Sequence, residues 1–165
     1  MLRTSAPLIG ALEVTRKVAM EFEVIEQTGF RAIGSLAKIG VIGPKHYAVV
    51  IGRNSLDGRI YVAEQQVSGY HLTRIEEFQS RYICNGSLYL EKNYGSRSSI
   101  EVAMRALDEV RRGGNGSYNL LLNNCESFCN RATYGSSASA QVIRTLIAVL
   151  AFAFVTWHTL RVQSA

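Results

Sequence analysis

Asn123-Asn-Cys-Glu-Ser-Phe-Cys-Asn-Arg-Ala132 reads as a short helix with a chemically distinctive start. Asn123 and Asn124 carry side chains suited to an N-cap, and Gly135 closes the segment as a C-terminal stop. Cys125, Phe128, Cys129 and Ala132 recur at i, i+3, i+4 and i+7, so one apolar face should pack on a sheet. Cys125 falls in the first turn, where free N–H groups and the helix dipole favour a thiolate. Cys129, one turn deeper, reads as an ordinary buried thiol.

Working outward, His46-Tyr-Ala-Val-Val-Ile-Gly52 has the β-branched content of a buried strand. Arg53-Asn-Ser-Leu-Asp-Gly58 supplies turn chemistry, with Asp57-Gly58 its strongest dipeptide, and Arg59 to Glu64 reads as the returning strand. Ile39 to Pro44 reads as a turn-rich lead-in, and His71 lies in a polar stretch, GYHLTRIEEF, with the character of loop and edge. Arg81 to Glu91 reads as one or two further strands broken at Asn85-Gly86. Short links make these strands antiparallel. A second helix follows: Ser98 and Glu101 form a capping box, Ile100, Ala103, Met104 and Leu107 share a face, and Gly113-Gly114 ends it.

A thiolate nucleophile wants an imidazole beside it. The chain has three histidines. His158 lies in an apolar tail, His71 in the polar stretch, and His46 opens the best strand, from which a side chain can reach a packed helix. Neither this placement nor the first-turn cysteine excludes a structural role for either residue.

The two segments together resemble the lecithin:retinol acyltransferase-like family, permuted relatives of the NlpC/P60 thiol peptidases. His46 to Gly52 resembles its H-[WY]-[AG]-[IV]-x-[VL]-G strand, and Tyr118 to Phe128 its Y-x-L-x-x-N-N-C-E-H-F segment. The resemblance runs over about residues 30 to 144 in matching order. It implies an α+β fold, an antiparallel sheet packed with helices in the permuted papain-like NlpC/P60 arrangement. It also implies that Cys125 is the nucleophile and His46 its base. The family's third member, usually histidine on the returning strand, has no histidine counterpart here. Glu64 is the candidate, with Gln65 the competitor if the register shifts by one. A second departure is Ser127, where the family often has histidine after Cys-Glu. The hairpin loop Arg53 to Gly58 is expected to shape the rim of the site.

Composition sets the remaining bounds. The 165 residues suit one domain with an extra element, and 47% hydrophobic against 19% charged residues excludes a disordered or multi-span chain. A net charge of +5 without a basic run or a reading motif gives no reason to expect a nucleic-acid partner. Cys84, Cys125 and Cys129 lack CxxC spacing, which suits a reducing compartment, with no disulfide framework, metal or cofactor expected. The short patch Ala6 to Leu12, broken by Pro7 and Gly10, does not read as a secretory signal. By contrast, Thr145 to Leu160 carries no formal charge and is flanked by Arg144 and Arg161. With Val142 and Ile143 it approaches the length of a bilayer span.

The expected organisation is therefore an N-terminal extension (1–29), a thiol domain (30–135), a small-residue linker (136–141) and a membrane-anchoring helix (142–160). The family chemistry, acyl transfer through a cysteine thioester, implies a membrane-tethered acyltransferase or acylhydrolase taking phospholipid-type donors, its catalytic domain on the cytoplasmic side. An NlpC/P60-type amidase or peptidase and a noncatalytic membrane-associated module remain open alternatives at this level.

Overall fold

The computed structural model describes residues 21–36, 44–83 and 88–163. Cys84, Asn85-Gly86 and most of the lead-in before Pro44 lie outside the described residues. The elements in chain order are β1 (Phe22–Glu23), β2 (Arg31–Ser35), β3 (Lys45–Asn54), β4 (Ile60–Gln66), β5 (Gly69–Arg74), α1 (Ile75–Tyr82), β6 (Leu88–Glu91), α2 (Ser99–Arg111), α3 (Cys125–Tyr134) and α4 (Ala140–Gln163).

The strands form one antiparallel sheet in the order β5-β4-β3-β2-β6, with β1 paired to the last two residues of β3. The fold is thus α+β, as the sequence leads one to expect. β3 is buried on both faces, which explains why its apolar run is continuous rather than alternating. Tyr47, Val49 and Ile51 face α2 and α3, packing with Val102, Ala106, Leu107, Phe128 and Cys129. Ala48 and Val50 face the other way, against Phe78 and Tyr82 of α1. Phe78 and Phe128, one in each layer, are fully buried, and each such side chain stabilises the fold by about 1.5–3 kcal/mol.

Several local expectations need correction. Arg81 and Tyr82 end a helix, α1, rather than begin a strand. Its own signals are Glu76 and Glu77 in the first turn, Arg81 in the last, and Phe78 and Tyr82 four residues apart on one face. In α2, Ser98 accepts from the Glu101 N–H, but the Glu101 carboxylate pairs with Arg97 instead of returning to the cap. The buried face of α2 is Val102, Ala103, Ala106 and Leu107, so Ile100 is left exposed and Met104 only partly covered. The sheet and α3 lie nearer the Val102 side, and the helix turns to present it.

The turn after β3 lies at the end of that strand far from His46, so it does not form the rim expected of it. Asn54 closes this turn by accepting from the Leu56 and Asp57 N–H groups.

α3 ends at Gly135, whose φ of 76° is a left-handed cap that a side chain would resist. The chain then returns along α3 in a few residues, so α4 begins at the end of α3 that carries Cys125. There the Glu126 carboxylate accepts from Ser139 Oγ (2.5 Å) and from the Ala140 and Gln141 N–H groups (3.2 and 3.1 Å), capping α4. The Gln141 side chain grips the backbone of Lys45 on both sides, accepting its N–H at 3.0 Å and donating to its carbonyl at 3.3 Å. Beyond this first turn α4 is long and apolar enough to cross a membrane, and none of its apolar window is buried in the domain. Its 24 residues extend about 36 Å against a hydrocarbon layer of about 30 Å.

Candidate active site

The β3–β4 ladder ends at Ala48↔Glu64, while β3 continues with β2 as far as Lys45 and β4 with β5 as far as Gln66. The N-terminal end of α3 bridges this open end of the ladder. On one side the Cys125 thiol lies 3.9 Å from the Lys45 carbonyl, and on the other Gln65 Nε2 donates to the Asn123 carbonyl at 3.1 Å. Asn124 caps the helix by accepting from the Ser127 N–H at 2.9 Å and ties back to the Leu120 carbonyl through its amide.

His46 and Glu64 project from the same face of neighbouring strands, and His46 Nε2 lies 2.7 Å from Glu64 Oε2. The other Glu64 oxygen accepts from Thr73 Oγ1 and from Arg81 Nη2, each at 2.5 Å. Glu64 is completely buried, which by itself would push its carboxyl up. Its hydrogen bonds to His46, Arg81 and Thr73 outweigh that and hold it at about 2. It is therefore a carboxylate at any physiological pH.

Burial likewise pushes the His46 imidazolium down. Hydrogen bonds to Cys125 and Glu64, with their charges, win and raise it to about 9. With Nε2 committed to Glu64, Nδ1 is the nitrogen that serves Cys125. His46 thus stands between Glu64, bonded to Nε2 at 2.7 Å, and Cys125, whose thiol points to the Lys45 carbonyl at 3.9 Å and acts on the imidazole through its charge and hydrogen bonding.

The imidazole is held by aromatic rings as well. Tyr82 stacks on it at 5.7 Å between centroids, and Phe78 lies 5.7 Å away at a tilt. Tyr82 reaches this position because Gly34, opposite His46 on β2, has no side chain. A Cβ there would meet the Tyr82 ring at 2.4 Å.

Gln65, the competitor on register, points to the other face and serves the loop before Cys125. Cys129 is fully buried, and burial pushes its thiol well above the ordinary range. His71 stands opposite Glu64 on the edge strand, where its ring hydrogen-bonds Ser68 at 2.9 Å, and His158 lies on α4 beside Phe154. Ser127 is buried with its hydroxyl unpartnered among the described residues. Sequence reasoning did not pick out Arg81, Thr73, Tyr82 or Gln141. The helical pattern of Ile75 to Tyr82 was the one available signal, since it would have turned Phe78 and Tyr82 onto the face of the sheet that carries His46.

Comparisons with curated proteins and with solved structures each returned no match. A family profile described as lecithin retinol acyltransferase does match, over residues 32–138. That span runs from β2 to the segment before α4 and contains His46, Glu64 and Cys125. Such enzymes are, in general terms, acyl-transferring thiol enzymes that act on lipids. With more than half of its length matched, the chain belongs to the lecithin retinol acyltransferase family.

Proposed function

We propose that the protein is a membrane-tethered cysteine acyltransferase or acylhydrolase that takes its acyl group from a phospholipid-type donor. The observation that carries this reading is the Cys125–His46–Glu64 cluster at the N-terminus of a buried helix. Cys125 is the nucleophile. Its thiolate attacks the ester carbonyl, and the N–H groups at the start of α3, which lack intrahelical acceptors, face the developing oxyanion. As the C–S bond forms and the ester C–O bond breaks, His46 passes its proton to the departing lipid alcohol. Water, an amine or an alcohol then attacks the thioester, with His46 as the base. Glu64 acts through His46: it fixes the ring and supports its positive charge.

A noncatalytic reading would be favoured by an imidazole with no acceptor nearby, whereas the 2.7 Å contact with Glu64 favours a working base. α4 fits a membrane anchor because its apolar residues are exposed on every side. Anchorage holds the site at the lipid surface and raises the effective donor concentration. A domain on the cytoplasmic side fits free thiols at positions 125 and 129.

The test is intact-mass spectrometry of the full chain in phospholipid bilayers, trapped during turnover. An acyl adduct should appear on the wild type and on Cys129→Ala, and be absent from Cys125→Ala. An adduct that survives in Cys125→Ala, or a folded wild type that forms none and releases no lysolipid, overturns the proposal.

A further inference from the structure

Three consecutive leucines, Leu120, Leu121 and Leu122, are 70%, 55% and 75% exposed immediately before the capped start of α3. They sit on a tight turn that is closed by its own polar groups. Asn119 and Asn123 exchange backbone hydrogen bonds at 2.9 Å in both directions. The Asn119 side chain accepts from the Leu121 and Leu122 N–H groups at 2.9 and 3.0 Å. Asn124 donates to the Leu120 carbonyl at 2.8 Å, and the Asn123 amide braces the turn from behind by donating to the Asn115, Gly116 and Ser117 carbonyls.

The combination is unusual for a surface loop. Loops normally stay in water because their backbone groups need it. Here the Leu121 and Leu122 N–H groups and the Leu120 carbonyl are already bonded within the protein, while the side chains turned outward are purely apolar. Such a turn can leave water without stranding these backbone groups, as an apolar layer requires.

Its place in the fold selects the partner. The turn, Cys125 and the first turn of α4 all lie at one end of the domain: Asn124 ties the turn to α3, and Glu126 on α3 caps α4. A bilayer crossed by α4 therefore lies at the end that presents the leucines.

We infer that the Leu120–Leu122 turn inserts into the acyl-chain layer of that bilayer, as a second contact beside α4 and at the lip of the site. The inference rests on the proposal that α4 spans a membrane. Two contacts fix what one helix alone leaves free, the tilt of the domain against the bilayer. They press the entrance beside Cys125 against the lipid from which an acyl chain must be drawn.

Trp157, the chain's one tryptophan, lies on α4, so a clean test is available. Full-length protein carrying Trp157→Phe is given a single new tryptophan at Leu121 or Leu122. It is reconstituted in phosphatidylcholine bilayers containing lipids brominated at defined depths of the acyl chain. Leu56→Trp is the control, because Leu56 is 94% exposed in the turn at the opposite end of β3.

Bromines near the headgroup end of the chain should quench the fluorescence of Leu121→Trp and Leu122→Trp strongly and leave Leu56→Trp unchanged. Leu121→Gln should weaken turnover of bilayer phospholipid by roughly tenfold, the scale of one leucine's transfer from water, and spare a short-chain monomeric ester. Quenching of Trp157 in the wild type tests the anchor separately. If Trp157 is quenched while Leu121→Trp and Leu122→Trp match the Leu56 control, the inference fails and the anchor stands. If Trp157 is not quenched but the turn is, the anchor fails and the turn is a bilayer contact in its own right. No quenching at any position overturns both.

Discussion

Replacing Glu64 by glutamine should harm catalysis more than removing the side chain with alanine, and the reason lies in how the two carboxylate oxygens are used. One oxygen takes Thr73 and Arg81 at 2.5 Å each, and the other takes His46 at 2.7 Å. A glutamine has one oxygen to offer. Two strong donors hold it on the Arg81 side, so the –NH₂ group turns toward His46 Nε2. A donor against Nε2 forces the proton onto Nδ1, the nitrogen that must accept from Cys125. The imidazole can then neither take the thiol proton nor carry charge. Reversing a catalytic tautomer in this way slows a histidine-assisted nucleophile by roughly 10³- to 10⁴-fold.

In Glu64→Ala the vacated polar space admits water, which accepts from Nε2 and keeps the tautomer. The loss should be about 100-fold, the smaller end of general acid–base effects. Stability should rank the other way. Alanine takes from Thr73 and Arg81 the acceptor they share and leaves one water in place of a packed side chain, at about 1–3 kcal/mol for each polar group, whereas glutamine keeps the volume. Single-turnover acylation by mass spectrometry gives the rates, thiolate ultraviolet absorbance reports the ion pair, and denaturant unfolding gives the stabilities. A Glu64→Gln enzyme within threefold of wild type, or slower turnover in Glu64→Ala than in Glu64→Gln, refutes the reasoning.

His46→Gln should leave the fold intact and slow acylation by ~100-fold or more, and an unchanged rate would remove His46 from the mechanism. The stability of the wild type should fall as pH rises from neutrality. His46 is raised from 6.5 to about 9 in the fold, so its contribution is complete below pH 6.5 and lost as pH climbs through 9, an effect on the order of 3 kcal/mol. Glu64, lowered from 4.5 to about 2, contributes fully above pH 4.5 and loses its share as pH falls through 2. Urea titrations at a series of pH values check both limbs, and the alkaline limb should be absent from His46→Gln. Gly34→Ala should displace Tyr82 from His46 at a cost of about 1–3 kcal/mol and lower the rate. Normal activity and stability in that variant would show that the ring does not hold the imidazole.

The local chemistry of α3 was plain in the sequence because each signal is short-range: Asn124 caps, Gly135 stops, and the four apolar positions repeat within two turns. β3 was equally legible, since a strand buried on both faces announces itself as an unbroken apolar run. Glu64 was preferred to Gln65 because a carboxylate can orient and support a charged imidazole, but which of the two faces His46 depends on the hairpin register, and the bulge between Val50 and Gly52 shifts that register in a way a count along the chain does not reveal. Arg81 and Thr73 were not legible at all. Each is an ordinary surface-type residue until α1 and β5 fold over the same buried carboxylate. The face of α2 was misread because Ile100 and Met104 are apolar in the right rhythm, yet the position of the sheet, not hydrophobicity, decides which side is covered.

The double grip of Gln141 on Lys45 leaves the anchor no slack. A flexible leash would supply concentration and nothing else, letting the domain rise, tumble and settle at random. Here the residue next to His46 is fastened to the first turn of the apolar helix, and Glu126 fastens the residue next to Cys125 to the same turn. With α4 in a bilayer, the site is held at one height. A residue inserted into α4 just after Gln141 is therefore not a longer spacer. It rotates α4 by about 100° and advances it by about 1.5 Å against the two residues that flank the nucleophile and its base.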